Sequence, residues 1–83
     1  MSASRGFDVR AVSVDVGVDR IYNEAEWGDA LVLVARGEVE LEDVSGDVRC
    51  FGRGAVLCLV GLPLRALRSR GEEPALLVAV SRR

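Results

Sequence analysis

Residues 30–42 read Ala30-Leu31-Val32-Leu33-Val34-Ala35-Arg36-Gly37-Glu38-Val39-Glu40-Leu41-Glu42, and this stretch decides the fold. Positions 30–35 are all apolar, a pattern typical of a strand that is covered on both faces. After Gly37 the pattern alternates, with glutamates on one side and apolar residues on the other. A doubly buried strand that continues into a half-buried one predicts a small closed or sandwiched β-fold.

The rest of the chain shows further short strand patterns, separated by glycine- and proline-rich turn signals. The segment 24–29 is a loop with room for one helical turn. The pattern therefore predicts an all-β domain of about eight short strands, without a repeat or a linker. We expect residues 1–7 to be an N-terminal leader and residues 8–83 to form the single domain. The predicted strands cover residues 8–15, 18–23, 30–36, 38–43, 48–51, 55–60, 64–70 and 75–80.

The turn signal at residues 44–47, Val-Ser-Gly-Asp, predicts a β-hairpin. If Ser45-Gly46 is a two-residue loop, Glu42 faces Arg49 and Leu41 faces Cys50. This register places opposite charges together on the solvent face and apolar groups together on the core face.

The composition limits where the protein works and what it binds. The net charge of −2 gives no general attraction to nucleic acid or to an anionic membrane. No apolar run approaches the ~20 residues of a membrane span, and residues 1–6 lack the apolar core of a secretory signal. All eleven cationic side chains are arginine, which is typical of a GC-rich bacterial genome. We therefore expect a cytoplasmic protein with neither nucleic-acid nor membrane partners.

The chain contains no histidine, the commonest metal ligand and the commonest acid–base catalyst near neutral pH. Its two cysteines, Cys50 and Cys58, lie among apolar neighbours, and we expect both to be buried, reduced thiols. Two cysteines without a histidine make a poor zinc site. The composition therefore predicts neither a metal nor a cofactor.

The order of glycines and turns carries a resemblance to a known family. The apolar strand leads into Gly37-Glu38-Val39-Glu40-Leu41, and the turn Gly52-Arg53-Gly54 follows the hairpin. Next come the apolar strand that begins at Ala55, the break Gly61-Leu62-Pro63, the turn Gly71-Glu72-Glu73-Pro74 and a closing apolar strand. Over roughly residues 18–80 this layout resembles the cupin superfamily. The resemblance implies a jelly-roll barrel, also called a double-stranded β-helix.

Cupins typically bind a divalent metal through two histidines and a glutamate in a first motif and a histidine in a second. The resemblance places these four positions at Glu24, Glu26, Ala30 and Leu64. Alanine and leucine cannot ligate a metal, so the resemblance implies a metal-independent barrel with no cofactor.

Arg68 stands where the second motif of the family carries an asparagine. The resemblance implies that Leu64, Ala66 and Arg68 point into the barrel. An inward arginine needs a carboxylate or an anionic ligand, because a buried charge must be paired. Glu24 or Glu26 would supply that carboxylate. Exposure of Arg68 at the barrel mouth, or a role in anchoring a ligand, remains open.

Three classes of function remain open. We favour a metal-independent cupin-like small-molecule-binding or interaction module, homodimeric and non-catalytic, that holds a small apolar or anionic ligand. The second class is a metal-independent cupin-type enzyme, an isomerase or cyclase using general acid–base chemistry at Glu24, Glu26 or Tyr22. The third is an accessory domain whose outer sheet binds another protein. Tyr22 and Trp27 either stack on a ligand or cover a small core. The predicted ligand-binding residues are Arg68, Glu24, Glu26, Tyr22, Trp27 and Leu64.

Overall fold

A computed structural model describes residues 6–82. These residues form eight strands and one helical turn, which confirms the predicted all-β, jelly-roll-like fold. Residues 1–5 of the predicted leader lie outside the described residues, and Phe7 already begins the first strand. The elements are β1 (Phe7–Val14), β2 (Arg20–Ile21), α1 (Glu24–Trp27), β3 (Leu31–Arg36), β4 (Glu38–Asp43), β5 (Val48–Gly52), β6 (Val56–Cys58), β7 (Leu64–Ser69) and β8 (Ala75–Arg82).

The strands form two antiparallel sheets of four strands each. The first sheet has the order β1-β8-β3-β6, and the second has the order β2-β7-β4-β5. The chain passes from the first sheet to the second at Gly37, between β3 and β4. Gly37 has a φ of +74° and lies against the backbone of Pro74, so the joint predicted from the sequence is also a close backbone contact.

The core lies between the two sheets because alternate residues of each strand point inward. β3 contributes two fully buried valines, and β4 contributes a valine and a leucine. This inward set contains no charged side chain. It comprises Val12, Val14, Trp27, Ala30, Val32, Val34, Val39, Leu41, Leu57, Leu59, Leu67, Ala75, Leu77 and Ala79.

The short helix α1 is the single helical turn for which the sequence left room. The side chain of Asn23 caps it, because its Oδ1 accepts a hydrogen bond from the N–H of Ala25 at 3.0 Å. Gly28, with a φ of +54°, ends it. Within residues 6–82, no helix has the length and apolar character needed to cross a membrane.

The predicted hairpin forms, but its register differs from the prediction by one residue. Leu41 pairs with Arg49, and Glu40 pairs with Cys50. Because strand side chains alternate with a period of two, a shift of one residue moves each β5 side chain to the opposite face. Cys50 therefore faces outward, and Arg49 lies on the face of Leu41.

The length of the hairpin loop explains this shift. The N–H of Asp43 donates to the carbonyl oxygen of Asp47 at 2.9 Å, which leaves three residues in the loop instead of two. Asp43 Oδ1 accepts hydrogen bonds from the N–H groups of Ser45 and Asp47 at 2.9 and 3.0 Å. Gly46 supplies the positive φ that three-residue loops of this kind require.

The expectation of two buried thiols is wrong for this chain. Both Cys50 and Cys58 are free and exposed. Cys50 faces outward because of the three-residue loop. Cys58 lies on the outer side of β6, since its neighbour Leu57 points into the core.

Candidate functional site

The predicted ligand-binding residues occupy three separate places in the fold. Arg68 lies on the outer face of the second sheet, in β7. Leu64 borders a cavity beside the loop between β6 and β7. The other four lie in α1 or just before it, and they are Tyr22, Glu24, Glu26 and Trp27. The structure therefore does not bring the six residues together into one site.

Arg68 points away from the core, whereas the cupin resemblance implies that it points into the barrel. The pairing of β7 with β4 contains a register shift near the start of β7. Such a bulge inserts one extra residue, so the inward and outward positions exchange along the strand. Leu64 and Leu67 therefore both pack against the core, whereas Ala66 and Arg68 lie on the outer face. The inward direction that the resemblance implies for Arg68 requires strict alternation from Leu64, and the bulge interrupts that alternation.

The guanidinium of Arg68 binds three carboxylates on this outer face. Its Nε lies 2.9 Å from Asp19 Oδ1, its Nη1 2.6 Å from Glu40 Oε2, and its Nη2 2.7 Å from Glu42 Oε1. Arg70 adds a contact of 3.1 Å from its Nη1 to Glu40 Oε1. The need of Arg68 for a carboxylate was predicted, but the predicted partners in α1 were wrong.

These contacts change the protonation of the carboxylates. The hydrogen bond from Arg68 is the main cause that lowers the pKa of Glu40, and Arg70 lowers it further. The hydrogen bond from Arg68 likewise lowers the pKa of Asp19. The hydrogen bonds that Arg68 donates to Asp19, Glu42 and Glu40 raise the pKa of Arg68 above its usual range. The network therefore stays ionised and links β7 to β4 and to the segment before β2.

We expect the substitution Arg68→Leu to lower the free energy of unfolding by about 2 kcal/mol at pH 7, because it removes the nearest cation from two partly buried carboxylates, Glu40 and Glu42. This loss of unfolding free energy should become smaller as the pH falls. The pKa of Glu40 is depressed in the folded state, so its stabilisation is complete above its unfolded pKa and disappears as the pH falls through the folded pKa. Urea unfolding from pH 7 down to about pH 3, below the usual glutamate pKa, measures both effects.

Arg65→Leu provides the matched control. Arg65 is also in β7, but its side chain is 61% exposed and lies 3.8 Å from Glu42. An exposed pair of this kind typically contributes about 0.5 kcal/mol. Equal losses for the two variants, or a loss in Arg68→Leu that is the same at pH 7 and pH 3, would contradict the assigned role of Arg68.

Glu26 takes part in a different ion pair. Its Oε2 accepts a short hydrogen bond from Arg20 Nη2 and lies 3.3 Å from Arg10 Nη1. Arg10 Nη2 also donates to the backbone carbonyl of Glu26 at 2.7 Å. The guanidinium of Arg10 lies 5.3 Å from the ring centre of Trp27. Two arginines therefore bind the Glu26 carboxylate, and they connect α1 to the middle of β1 and to β2.

The two aromatic residues beside α1 belong to the packing of the domain. Trp27 is 2% exposed and lies in the core, and Tyr22 packs against the core. Burial raises the pKa of Tyr22, and the charge of Glu24 raises it further. Neither the hydroxyl of Tyr22 nor the Nε1 of Trp27 has a hydrogen-bond partner among the described residues. These contacts agree with the alternative in which Tyr22 and Trp27 cover a small core.

Leu64 borders a cavity of about 280 Å³ at the β5 edge of the domain. The cavity lies between the inner side of the β4–β5 hairpin and the loop before β7. Its apolar wall comprises Leu41, Phe51, Leu62, Pro63 and Leu64. Its polar side comprises Asp43, Asp47 and Arg49.

Arg49 is the cation of this cavity. Among residues 6–82, its guanidinium has neither an ion pair nor a hydrogen bond. Asp43, by contrast, is occupied by the hairpin loop, and the hydrogen bonds of that loop, chiefly from the Ser45 side chain, lower its pKa. The sequence alone does not indicate Arg49 as a cavity residue, because a two-residue loop places it on the outer face. The sequence Asp43-Val44-Ser45-Gly46-Asp47 contains a signal for the three-residue loop. An aspartate side chain that accepts hydrogen bonds from the N–H groups two and four residues later favours a longer loop.

The geometry of the side chains also bears on metal binding. In the described part of the chain, no three acidic or cysteine side chains come close enough together to hold a metal ion. Of the four positions that the cupin resemblance assigns to metal ligands, Ala30 lies in the core and Leu64 lines the cavity.

Comparisons with known proteins identify the fold. No protein-family model matches the chain, and no curated protein matches it. Protein NMB1881 from Neisseria meningitidis has a similar structure, with a TM-score of 0.68 and 15% identity over 94% of this chain and 75% of that chain. The catabolite activator protein of Thermus thermophilus is also similar, with a TM-score of 0.50 and 23% identity over 93% of this chain. This chain spans 38% of the length of that protein. At these identities the similarity shows the fold alone.

Proposed function

We propose that this chain is a metal-independent, cupin-like small-molecule-binding module, non-catalytic, whose ligand occupies the cavity beside Leu64. The observation that carries the proposal is a largely apolar cavity with one unpaired guanidinium, that of Arg49. Ligand sites commonly combine an apolar lining with a few polar groups that orient the ligand. The cupin resemblance supports the same place, because it assigns a ligand-binding position of the barrel to Leu64.

The cavity selects for a small ligand with an apolar body and one anionic group. Its volume of about 280 Å³ lies just below the range of roughly 300–1,000 Å³ typical of ligand pockets. Arg49 has donors free for a carboxylate, and a guanidinium binds a carboxylate through two parallel hydrogen bonds. Asp47 lies on the same polar side and opposes a second negative charge. A short-chain carboxylic acid has this chemistry.

The alternative of an acid–base enzyme has less support. Such an enzyme needs a free titratable group in a cavity. Glu24 and Tyr22 lie in or beside α1, and Glu26 lines a separate cavity of about 310 Å³ together with Arg10 and Trp27. Two arginines hold the carboxylate of Glu26. The titratable groups of the cavity are two aspartates and Arg49, and the loop hydrogen bonds keep Asp43 ionised.

We expect hexanoate to bind the protein and to shift the backbone amide NMR signals of Arg49, Phe51 and Leu64. Arg49→Ala should weaken this binding about tenfold, the loss of one hydrogen-bonded charge contact of about 1.4 kcal/mol. Titrations of both proteins with hexanoate, followed by two-dimensional NMR, give the affinity and the site together.

Two sets of controls make the test specific. Arg53→Ala removes an exposed arginine from the turn after β5 and should leave hexanoate binding unchanged. Hexanol, which has the same chain without the charge, should bind wild type and Arg49→Ala equally. Hexylamine should bind more weakly than hexanoate. Tighter binding of hexylamine would show that Asp47, and not Arg49, binds the polar end of the ligand. Hexanoate shifts confined to other parts of the domain would refute the cavity as the ligand site.

A further inference from the structure

The outer face of the first sheet is apolar across all four of its strands. Residues paired directly across antiparallel strands point to the same side of a sheet. One such row crosses β1, β8, β3 and β6, and a second row lies beside it. We name these eight residues the apolar face, and they are Val9, Val80, Leu31 and Cys58 in the first row and Ala11, Val78, Leu33 and Val56 in the second.

Much of the apolar face is open to solvent in the single chain. Leu31 is 53% exposed, Leu33 39%, Val9 62% and Val56 63%. The sequence pattern of residues 30–35 predicts a strand covered on both faces, but one face of β3 has no cover within the described residues. The outer face of the second sheet differs, because the Arg68 network covers it with ion pairs. An exposed apolar patch of this extent marks an interaction surface.

We propose that the apolar face binds the apolar face of a second copy of this chain, so that the protein is a two-fold symmetric dimer. In such a dimer both copies use the same surface for the contact, so the face must be complementary to itself. The apolar face meets this condition because none of its eight residues carries a charge. Contact between two apolar faces buries no charged side chain from these rows. A partner with a charged surface would instead have its charged side chains buried against the apolar face without an opposite charge.

The size of the apolar face agrees with a weak dimer. Its four strands are spaced about 4.8 Å apart, and the two outward residues of each strand cover about four residues of 3.4 Å, so the face measures roughly 19 by 14 Å. Side chains corrugate this face, so two copies together bury roughly 700 Å² of accessible surface, which is in the range of weak, reversible interfaces. The proposal is independent of the ligand cavity, since none of the cavity residues belongs to the apolar face.

Sedimentation velocity of the full chain from about 1 to 200 µM tests the proposal directly, and the wild-type protein should sediment with twice its chain mass of 8.9 kDa. Leu31→Arg places a charge at the centre of the face and should raise the dissociation constant at least about 100-fold. Leu31 is exposed in the single chain, so the variant should keep its fold, and its circular dichroism spectrum checks this.

Val44→Arg is the matched control, because Val44 is 62% exposed but lies in the hairpin loop, outside the apolar face. It should remain a dimer. A wild-type protein that stays monomeric at 200 µM, whether or not it binds lipid vesicles or another protein, would overturn the proposal. So would a Leu31→Arg variant that remains as dimeric as the wild type.

The two free cysteines provide a second measurement. Cys58 belongs to the apolar face, whereas Cys50 is exposed on the outer face of the second sheet, with its Sγ 3.5 Å from Arg70 Nη1. Dimer formation should protect Cys58 from maleimide as the protein concentration rises, with the rate for Cys50 constant. Equal behaviour of the two thiols across the dimerisation range would show that the copies meet elsewhere.

Discussion

Replacing Gly37 by alanine is expected to lower the free energy of unfolding by about 3 kcal/mol. Two destabilising effects of an added side chain, an unfavourable φ and a steric clash, add at Gly37. The φ of +74° destabilises a residue with a side chain by roughly 1–2 kcal/mol. An added Cβ would also lie 2.9 Å from the carbonyl oxygen of Pro74 and 3.2 Å from Cα of Ala75. These are backbone atoms and cannot move without displacing the start of β8, which adds roughly 1–3 kcal/mol.

Gly17→Ala separates the two effects. Gly17 has nearly the same φ, +77°, but an added Cβ there would have no neighbour within 4 Å. Gly17→Ala should therefore lower the free energy of unfolding only through the unfavourable φ, by about 1 kcal/mol. Urea unfolding of both variants should be run at one protein concentration, because dimer dissociation couples to unfolding. Equal losses for the two glycines would show that the contact with Pro74 has no energetic effect.

Trp27→Ala is expected to have the largest effect on stability, a loss of about 4 kcal/mol. Trp27 is 2% exposed and has the largest fully buried side chain of the described residues. Its removal opens a cavity beneath α1 and deprives Arg10 of its ring contact. Because Trp27 is the only tryptophan, unfolding of the variant must be followed by circular dichroism.

Trp27→Phe is the matched control. It keeps much of the ring volume and removes the Nε1–H, which has no partner within the described residues. We expect a loss of about 1–2 kcal/mol, since the lost packing is partly offset by removal of an unsatisfied donor. Similar losses for alanine and phenylalanine would contradict a packing role. A ligand-stacking role predicts instead that Trp27→Ala weakens hexanoate binding and leaves the folding stability nearly unchanged.

The predictions from the sequence succeeded where local pattern determines structure. All eight strands were predicted, most within two residues of their observed ends, because period-two alternation and turn residues are properties of neighbouring positions. The outward direction of the β4 glutamates was also predicted. Gly37 was identified as a joint because a glycine interrupts two strand patterns, although its contact with Pro74 involves a residue 37 positions later.

The candidate site could be predicted only in part, and the reason is the same at each error. A two-residue loop in place of the three-residue loop put Arg49 outside and Cys50 inside. A strand without a bulge put Arg68 inside. Each error is a shift of one residue, and in a strand one residue exchanges the core face for the solvent face. Residue type therefore predicted which side chains are charged or form hydrogen bonds, but not which of them line the same cavity.

By itself, the sequence determined that this chain is an all-β domain with most of its glycines at the turns and with some strands apolar on both faces. These properties follow from the preferences of neighbouring residues. The tertiary structure alone decided the pairing registers, and with them the partners of Arg68, the place of Arg49 in the cavity and the exposure of the apolar face. Registers depend on loop geometry and on contacts between residues far apart in the chain, which no local pattern contains.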